Sequence, residues 1–547
     1  MSVAPQQAQE PLGQIYSREA TGLVKQGTPS RAMLLNFANI GLTYIMFTYW
    51  LQPGLYPRSN LLVSLLVAEI FIIPFMILYW KFSSAMPRTG SEYVYISRTI
   101  HPAWGFACSF AAALSQSFWT GVGGFWIAQL VLSPMFSAFG SLTGNDTLTG
   151  MGETFAGNAA GFIIGSVFLW LMVYLNVRGL KAYFKFQKIN WMVGGLTLLL
   201  LLVIFLVSSK ADFANNFDDF AQSATGTENG YETVLREADS QGMPGGFALS
   251  NLLAIFPIVW LVAWASTYIG GEVQQPRRTQ LWGTVGGNLL YFGVVFLQAL
   301  LIAKAVGLDF NQAATWLSLN SDTWYEIVPN DPVYILWAGV LIENLVLLLV
   351  VGAGFILWSY FWIPSAMIIA TRAMFAWSFD RIMPQKLSDV HPKYNSPYVA
   401  VIVVGIIAQL FLIAYATEVF QVLQPALAYM VVFFSTSIAG ILFPYMKKTK
   451  NWFDQPGVGT RLVGLPVMVW GGVAGVLYFG VALWYMLTDS LLGFNVDSEA
   501  FGITAKWALI LAALQFLVPL GIYFMVKRKR AREAIPLDAA FKGLPPD

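Results

Sequence analysis

The sequence predicts an all-α integral membrane protein with twelve transmembrane helices, and three observations carry that reading. Hydrophobic residues make up 57% of the 547 positions and charged residues only 11%, less than half of the about 25% usual in soluble domains. Apolar stretches of about 18 residues or more, each long enough to cross a bilayer as a helix, recur along the whole chain. Lysine and arginine, finally, concentrate on alternate connecting loops. Such a composition excludes a soluble enzyme, a nucleic-acid binder and a disordered scaffold. A net charge of +2 is too near neutral to imply an anionic partner.

The apolar runs place spans at about 32–53, 60–80, 103–137, 157–177, 186–208, 247–269, 282–304, 334–371, 398–416, 421–444, 466–488 and 505–526. The third and eighth exceed one perpendicular crossing, so they tilt, bend or begin as interfacial helices. An even number of spans puts both termini on one side, and basic loops stay cytoplasmic. With the amino terminus inside, 26 of the 31 lysines and arginines lie inside. Only Arg58, Lys210, Arg236, Lys304 and Lys506 lie outside. A misplaced span would invert every later loop and scramble this division. The first 30 residues are polar and lack the apolar core of a signal peptide, so the first span is expected to be retained.

The longest outer loop, 209–246, carries seven acids against Lys210 and Arg236, which reads as a solvated cap. Cys108 is the only cysteine, which excludes an intrachain disulfide, and it reads as a small apolar residue at a helix contact. With His101 and His391 the only histidines, a Cys/His metal cluster or a Cys–His nucleophile has no ligand set. No metal and no cofactor is expected. The glycines at 121, 123 and 124 read as permitting close helix packing.

Three classes suit such a chain: a secondary transporter, a channel or a membrane-embedded enzyme. An enzyme needs a constellation of acids, bases or metal ligands, and the spans hold two carboxylates, Glu69 and Glu343. Intramembrane carboxylates are costly and therefore functional candidates. Glu69 is a candidate for ion coupling or for an interhelical hydrogen bond, whereas Glu343 falls near an outer, wet helix end. No phosphate-binding G-x-x-x-x-G-K-[ST] run occurs. No repeated filter sequence suggests a channel, so transport by conformational alternation is favoured.

Four motifs sharpen this. After the second span stands Met86-Pro87-Arg88-Thr89-Gly90-Ser91-Glu92-Tyr93-Val94-Tyr95, and after the sixth Gly271-Glu272-Val273-Gln274-Gln275-Pro276-Arg277-Arg278-Thr279. The eighth span runs into Thr371-Arg372-Ala373-Met374-Phe375-Ala376, then Asp380, Met383-Pro384 and His391-Pro392-Lys393-Tyr394. Gly464-Leu465-Pro466-Val467 precedes the eleventh. The chain resembles, over about 32–526, the amino acid–polyamine–organocation family of permeases, whose members carry "MPRAGGEYVY", "EEVKNPRR" and "SRLLYALARDGLLP…HPKYGTP" at these helix ends.

The resemblance implies two inverted five-helix repeats, 32–208 and 247–444, joined by the acidic loop 209–246. The segment 445–526 adds two carboxyl-terminal helices, flanked by cytoplasmic tails at 1–31 and 527–547. It implies a plasma-membrane permease for a small-molecule substrate, an amino acid or related amine, embedded in the lipid bilayer and working by alternating access. A polyamine or organocation carrier is the alternative. A channel-like or signalling protein on the same scaffold is the rival from another class. In this family the first and sixth helices unwind, and freed backbone groups and half-helix dipoles meet the substrate.

Matching the family's "GAGIF" puts the first unwinding within Asn39-Ile40-Gly41-Leu42-Thr43-Tyr44. Matching "FTGFE" puts the second on Trp260-Leu261-Val262-Ala263-Trp264. The family glycines are missing, and Trp260 and Trp264 offer an aromatic wall on which a cation could rest. Ser115, Trp119 and Tyr429 are further pocket candidates. The coupling lysine of many members is absent from the fifth span, where Thr197 or a neighbour takes its place. Ser365, seven residues before Arg372, matches the family's hydroxyl position, and with the carbonyls around Gly41 it is a candidate for sodium. Sodium, proton and uncoupled exchange stay open.

Overall fold

The computed structural model describes residue 16 and residues 20–546, apart from positions 42, 260, 361, 421, 490, 492–498 and 501–502. Almost all regular structure in it is helical. Ten helices are long and apolar enough to cross a membrane: Leu61–Ala85, Pro102–Thr143, Asn158–Val177, Gly179–Val207, Pro276–Ala305, Leu345–Phe379, Tyr398–Ala416, Pro425–Leu442, Val467–Thr488 and Leu509–Arg532. They fall on ten of the twelve predicted spans. The other two, the first and the sixth, are interrupted. The first is split into Pro29–Ile40 and Thr43–Leu55. The sixth keeps only the short helix Leu249–Ala254 before the stretch 255–264, where no described residue is in regular helix.

Local chemistry sets many helix starts. Pro29 and Pro102 occupy first-turn positions where no amide hydrogen is needed. The Thr28 hydroxyl caps the first helix, and His101 Nδ1 accepts from the Ala103 amide at 3.2 Å to cap the second. His391 does the same for Lys393 at 3.1 Å. Both histidines of the chain are thus helix or turn caps. The long third span carries a π-helical turn at Ala128–Leu132, which accommodates its length as a local bend. Its glycines allow close contact: the Ala408 carbonyl lies against Gly121, and a Cβ on Gly124 would stand 2.7 Å from the Gly165 Cα. Cys108 is buried in the same helix.

One expectation needs correction. The eighth span does not begin at 334: Tyr334–Leu341 is a separate helix, residues 342–344 break the chain, and exposed Glu343 sits in that break, its carboxylate accepting from Asn216 Nδ2 at 3.2 Å. The loop 209–246, read as a solvated cap, has helical structure of its own. It folds into Lys210–Thr225 and Gly230–Ser240, whose apolar faces set Phe213 and Phe217 against Phe310 and Trp337 and stack Tyr231 on Phe310. A reciprocal Ser209–Asp212 capping box starts the first of these helices. Hydrogen bonds from the Ser209 backbone and hydroxyl hold the Asp212 carboxyl below its ordinary range.

At the opposite end two buried ion pairs lock the motif loops. Arg372 donates to both Glu272 oxygens, at 3.0 and 3.2 Å. Arg98 donates to Asp380 at 3.0 Å, with Tyr93 donating to the same oxygen at 2.7 Å. The carboxyl-terminal residues, expected as a basic tail, continue the last helix to Arg532 and then fold back over this network. Phe541 lies 4.9 Å beneath the Arg98 guanidinium, the Ala540 carbonyl accepts from the Tyr16 hydroxyl, and the Pro545 carbonyl accepts from Arg88.

Removing one member of a buried pair leaves the other charge uncompensated. Glu272→Gln is expected to destabilise the protein by about 3–5 kcal/mol, read as a lower thermal midpoint in detergent, whereas Arg278→Gln, at a residue with no described ion pair, leaves the midpoint nearly unchanged.

Candidate functional site

The first interruption turns on one residue. Asn39 and Ile40 remain in the last turn of Pro29–Ile40, and the chain leaves the helix at Gly41, whose φ of 71° and ψ of 144° suit glycine. A Cβ there would also run into the Trp362 indole. The break is therefore narrower than expected. Helix resumes at Thr43, so Thr43 and Tyr44 stand in helical backbone; Leu42, and the side chains of Thr43 and Tyr44, lie outside the described residues. The Gly41 carbonyl, without its helical partner, accepts from the Tyr291 hydroxyl at 3.0 Å.

The sixth-span interruption is longer than expected. From Ile255 through Trp264 none of the described residues is in regular helix, and all of them are buried. Trp260 lies outside the described residues, whereas Leu261, Val262, Ala263 and Trp264 fall within the break. Buried backbone must find partners, and here neighbouring side chains supply them. Asn36 donates to the Ala263 carbonyl at 3.1 Å and accepts from the Ser266 amide at 2.5 Å. Asn288 donates to the Leu261 carbonyl at 2.9 Å. Tyr478 donates to the carbonyls of Val259 and Phe256 at 2.7 and 3.1 Å, and the Ala263 amide meets Met76 Sδ.

Aromatic rings surround both breaks in two groups. Trp264 packs edge-on against Tyr429 and Phe433, with ring centroids 5.4 and 5.2 Å away. Trp119 packs against Trp126 and Trp362, the last being the ring that presses on Gly41. Trp264 and Tyr429 are thus brought together, while Trp119 belongs to the other group. Ser115 and Tyr429 join the third and tenth spans: Ser115 donates to the Pro425 carbonyl at 3.0 Å and Tyr429 to the Ala112 carbonyl at 3.3 Å. Ser365 donates to the Trp362 carbonyl at 2.8 Å and accepts from Asn39 at 3.4 Å. Thr197 lies against Gly354 of the eighth span and back-bonds to the Val193 carbonyl. Among the described residues no group of acids, histidines and cysteines is arranged to hold a metal ion.

Glu69 is buried, 5% exposed, and accepts from Asn288 Nδ2 at 3.3 Å. It therefore stands one side chain away from the Leu261 carbonyl. Asn36, Asn288, Trp126 and Trp362 had no counterpart in the sequence reading. The signal available for the two asparagines was an amide in the middle of an apolar span, where a polar group needs a reason to be. Trp362 lies one helical turn before Ser365, on the same face. Near the motif loops, a small cleft opens among Arg88, Tyr93, Phe375, Phe379 and Pro545.

Gly41→Ala is expected to cost about 1–3 kcal/mol from its backbone conformation alone, plus the overlap with Trp362. Combining it with Trp362→Leu should recover the steric part only, so the double variant melts above Gly41→Ala and below wild type in a detergent thermal-shift assay. Asn36→Ala leaves the Ala263 carbonyl and Ser266 amide short of partners and should cost about 1–3 kcal/mol for each group in the same assay.

Two comparisons with known proteins bear on this arrangement. An uncharacterized protein 399 of Sulfolobus islandicus rod-shaped virus 1 is 20% identical over 380 residues, covering 69% of each chain. The sequence profile of the amino acid permease family matches residues 26–514, a stretch that contains both interrupted spans, the two aromatic groups and the inner ion pairs. The chain belongs to the amino acid permease family, and is a multi-pass membrane protein of that transporter class.

Proposed function

We propose that the protein is a secondary transporter that moves amino acids or related organic amines across the plasma membrane by alternating access, with both termini cytoplasmic. In this reading 32–208 and 247–444 are inverted five-helix repeats, and their first helices are the two interrupted ones. The single observation that carries the proposal is this paired interruption. Each lies at the start of its repeat, and in each a backbone carbonyl accepts from side chains of neighbouring helices: Gly41 in the first, Ala263 and Leu261 in the sixth. Irregular backbone at membrane depth is stable only where protein or a wet cavity covers it. A small zwitterion entering between the breaks can exchange hydrogen bonds with such backbone at little net cost, because both sides of the exchange are satisfied.

The substrate-binding set is Asn39, Ile40, Gly41, Leu42, Thr43 and Tyr44 on the first break and Trp260, Leu261, Val262, Ala263 and Trp264 on the sixth. Ser115, Trp119 and Tyr429 complete it from the third and tenth spans. The aromatic groups around Trp264 and Trp362 favour a substrate with a sizeable apolar side chain, or an amine whose cation rests on an indole face. That feature keeps an organocation carrier as the second reading. Gly41 and Ser365 are the candidate oxygen donors for sodium.

Proteoliposomes holding the purified chain provide the test. Amino acids and amines that raise its thermal midpoint should show saturable uptake that is accelerated by the same compound preloaded inside. Uptake without such trans-stimulation would indicate a pore, and neither binding nor uptake would leave a non-transporting scaffold. Trp264→Phe keeps an aromatic ring in the packed group and is expected to weaken apparent affinity about tenfold while leaving the apo midpoint close to wild type. An unchanged affinity removes Trp264 from the binding set.

A further inference from the structure

Glu69 and Asn288 share an unfinished set of hydrogen bonds. The Asn288 amide nitrogen donates to the Leu261 carbonyl and to Glu69 Oε2. Because the Leu261 oxygen only accepts, the side-chain amide must present its nitrogen there, and its orientation is settled. Asn288 Oδ1 then needs a donor, and among the described residues neither Asn288 Oδ1 nor Glu69 Oε1 has one, although both atoms are buried. Asn288 is fully buried and Glu69 is 95% so. An ionised carboxylate offers only acceptors, which leaves both oxygens bare. A protonated carboxyl has one donor, and an Oε1–H aimed at Asn288 Oδ1 would give each of these two atoms the partner it lacks.

The charges around Glu69 agree. Of the helices packed on Leu61–Ala85, Val467–Thr488, Leu423–Leu442 and Thr43–Leu55 contain no Asp, Glu, Lys, Arg or His. Their titratable side chains are phenols: Tyr44 and Tyr49, Tyr429, and Tyr478 and Tyr485. Pro276–Ala305 adds Tyr291 and carries charge only at Arg277, Arg278 and Lys304, at least ten residues from Asn288, roughly 15 Å along the helix. Lys81, on the helix of Glu69 itself, is twelve residues away, roughly 18 Å; there its Nζ donates to Gly457 and Thr460. Among the described residues no cation pairs with Glu69.

We propose that Glu69 holds a proton in this conformation, and that this proton is the coupling ion of the transport cycle. Protonated, Glu69 steadies Asn288, and Asn288 steadies the Leu261 carbonyl in the interrupted sixth span. When the proton leaves to water, the carboxylate has one donor and must turn toward solvent or recruit it, and the Asn288 tether on Leu261 loosens. Proton occupancy and the conformation of the break are thereby linked. The coupling role rests on the carrier reading above; the protonation does not.

The test uses the full chain in lipid nanodiscs without ligand. Infrared difference spectra between mildly acidic and alkaline buffer should contain a protonated-carboxyl C=O band that is lost in Glu69→Gln. The band should shift to higher frequency in Asn288→Ala, where its partner is gone. A burial role alone would produce no such band. Absence of the band, or its persistence in Glu69→Gln, overturns the proposal. In proteoliposomes an inward proton gradient should stimulate uptake of a labelled substrate by wild type, and Glu69→Gln should keep exchange while losing that stimulation. Stimulation surviving in Glu69→Gln overturns the coupling role. A chain that carries no amino acid or amine refutes the carrier reading and the coupling role together, and the infrared band still decides whether Glu69 is protonated.

Discussion

A backbone that leaves the helix inside a membrane must find new partners for its amides and carbonyls, because hydrocarbon supplies none. The architecture around the two breaks follows from that constraint. Tyr291 serves the carbonyl of Gly41. Asn36, Asn288 and Tyr478 serve the stretch from Phe256 to Ser266. These side chains come from the first, seventh and eleventh spans, so the interrupted segments are held by the helices around them. A movement of those helices relative to the breaks therefore changes the hydrogen bonding of the breaks directly, which is the physical link a carrier requires between a bound solute and a change of shape.

Rigidity sits elsewhere. The buried Arg372–Glu272 and Arg98–Asp380 pairs join the loop after the second span, the segment after the sixth and the end of the eighth. The folded-back carboxyl terminus places Phe541 against Arg98 and Pro545 against Arg88. At the other end the acidic loop is anchored by an aromatic cluster around Phe217, Phe310 and Trp337. Breaks tethered by neutral hydrogen bonds thus lie between ends secured by charge and by apolar packing. Neutral amide and hydroxyl partners can be exchanged at modest cost, whereas an ion pair buried in low dielectric cannot be opened without solvating both charges.

Much of this was legible in the order of the residues. Apolar run length located the ten helical segments long and apolar enough to cross a membrane. The four motifs pointed to the family and, through it, to interruptions in the first and sixth spans. The separate helix at 334–341 and the folded state of 209–246 were not legible. Apolarity alone does not reveal a three-residue break, and an acidic surface conceals the phenylalanines spaced for burial beneath it. Gly41 lies within the stretch that the motif match marks. That Trp362 presses on it was invisible, because the two residues are far apart in the chain and meet only when the eighth span crosses the first.

By itself the sequence determined that the chain lives in a bilayer, that its helices follow the length of its apolar runs, and which family's signatures it carries. These properties are local or additive: hydropathy sums along a window, and a motif occupies adjacent positions. Only the tertiary structure decided which side chain answers which freed backbone group, and that Glu69, Asn288 and Leu261 form one chain of contacts. Hydrogen bonding is directional and short in range, so its partners exist only once distant spans are packed side by side.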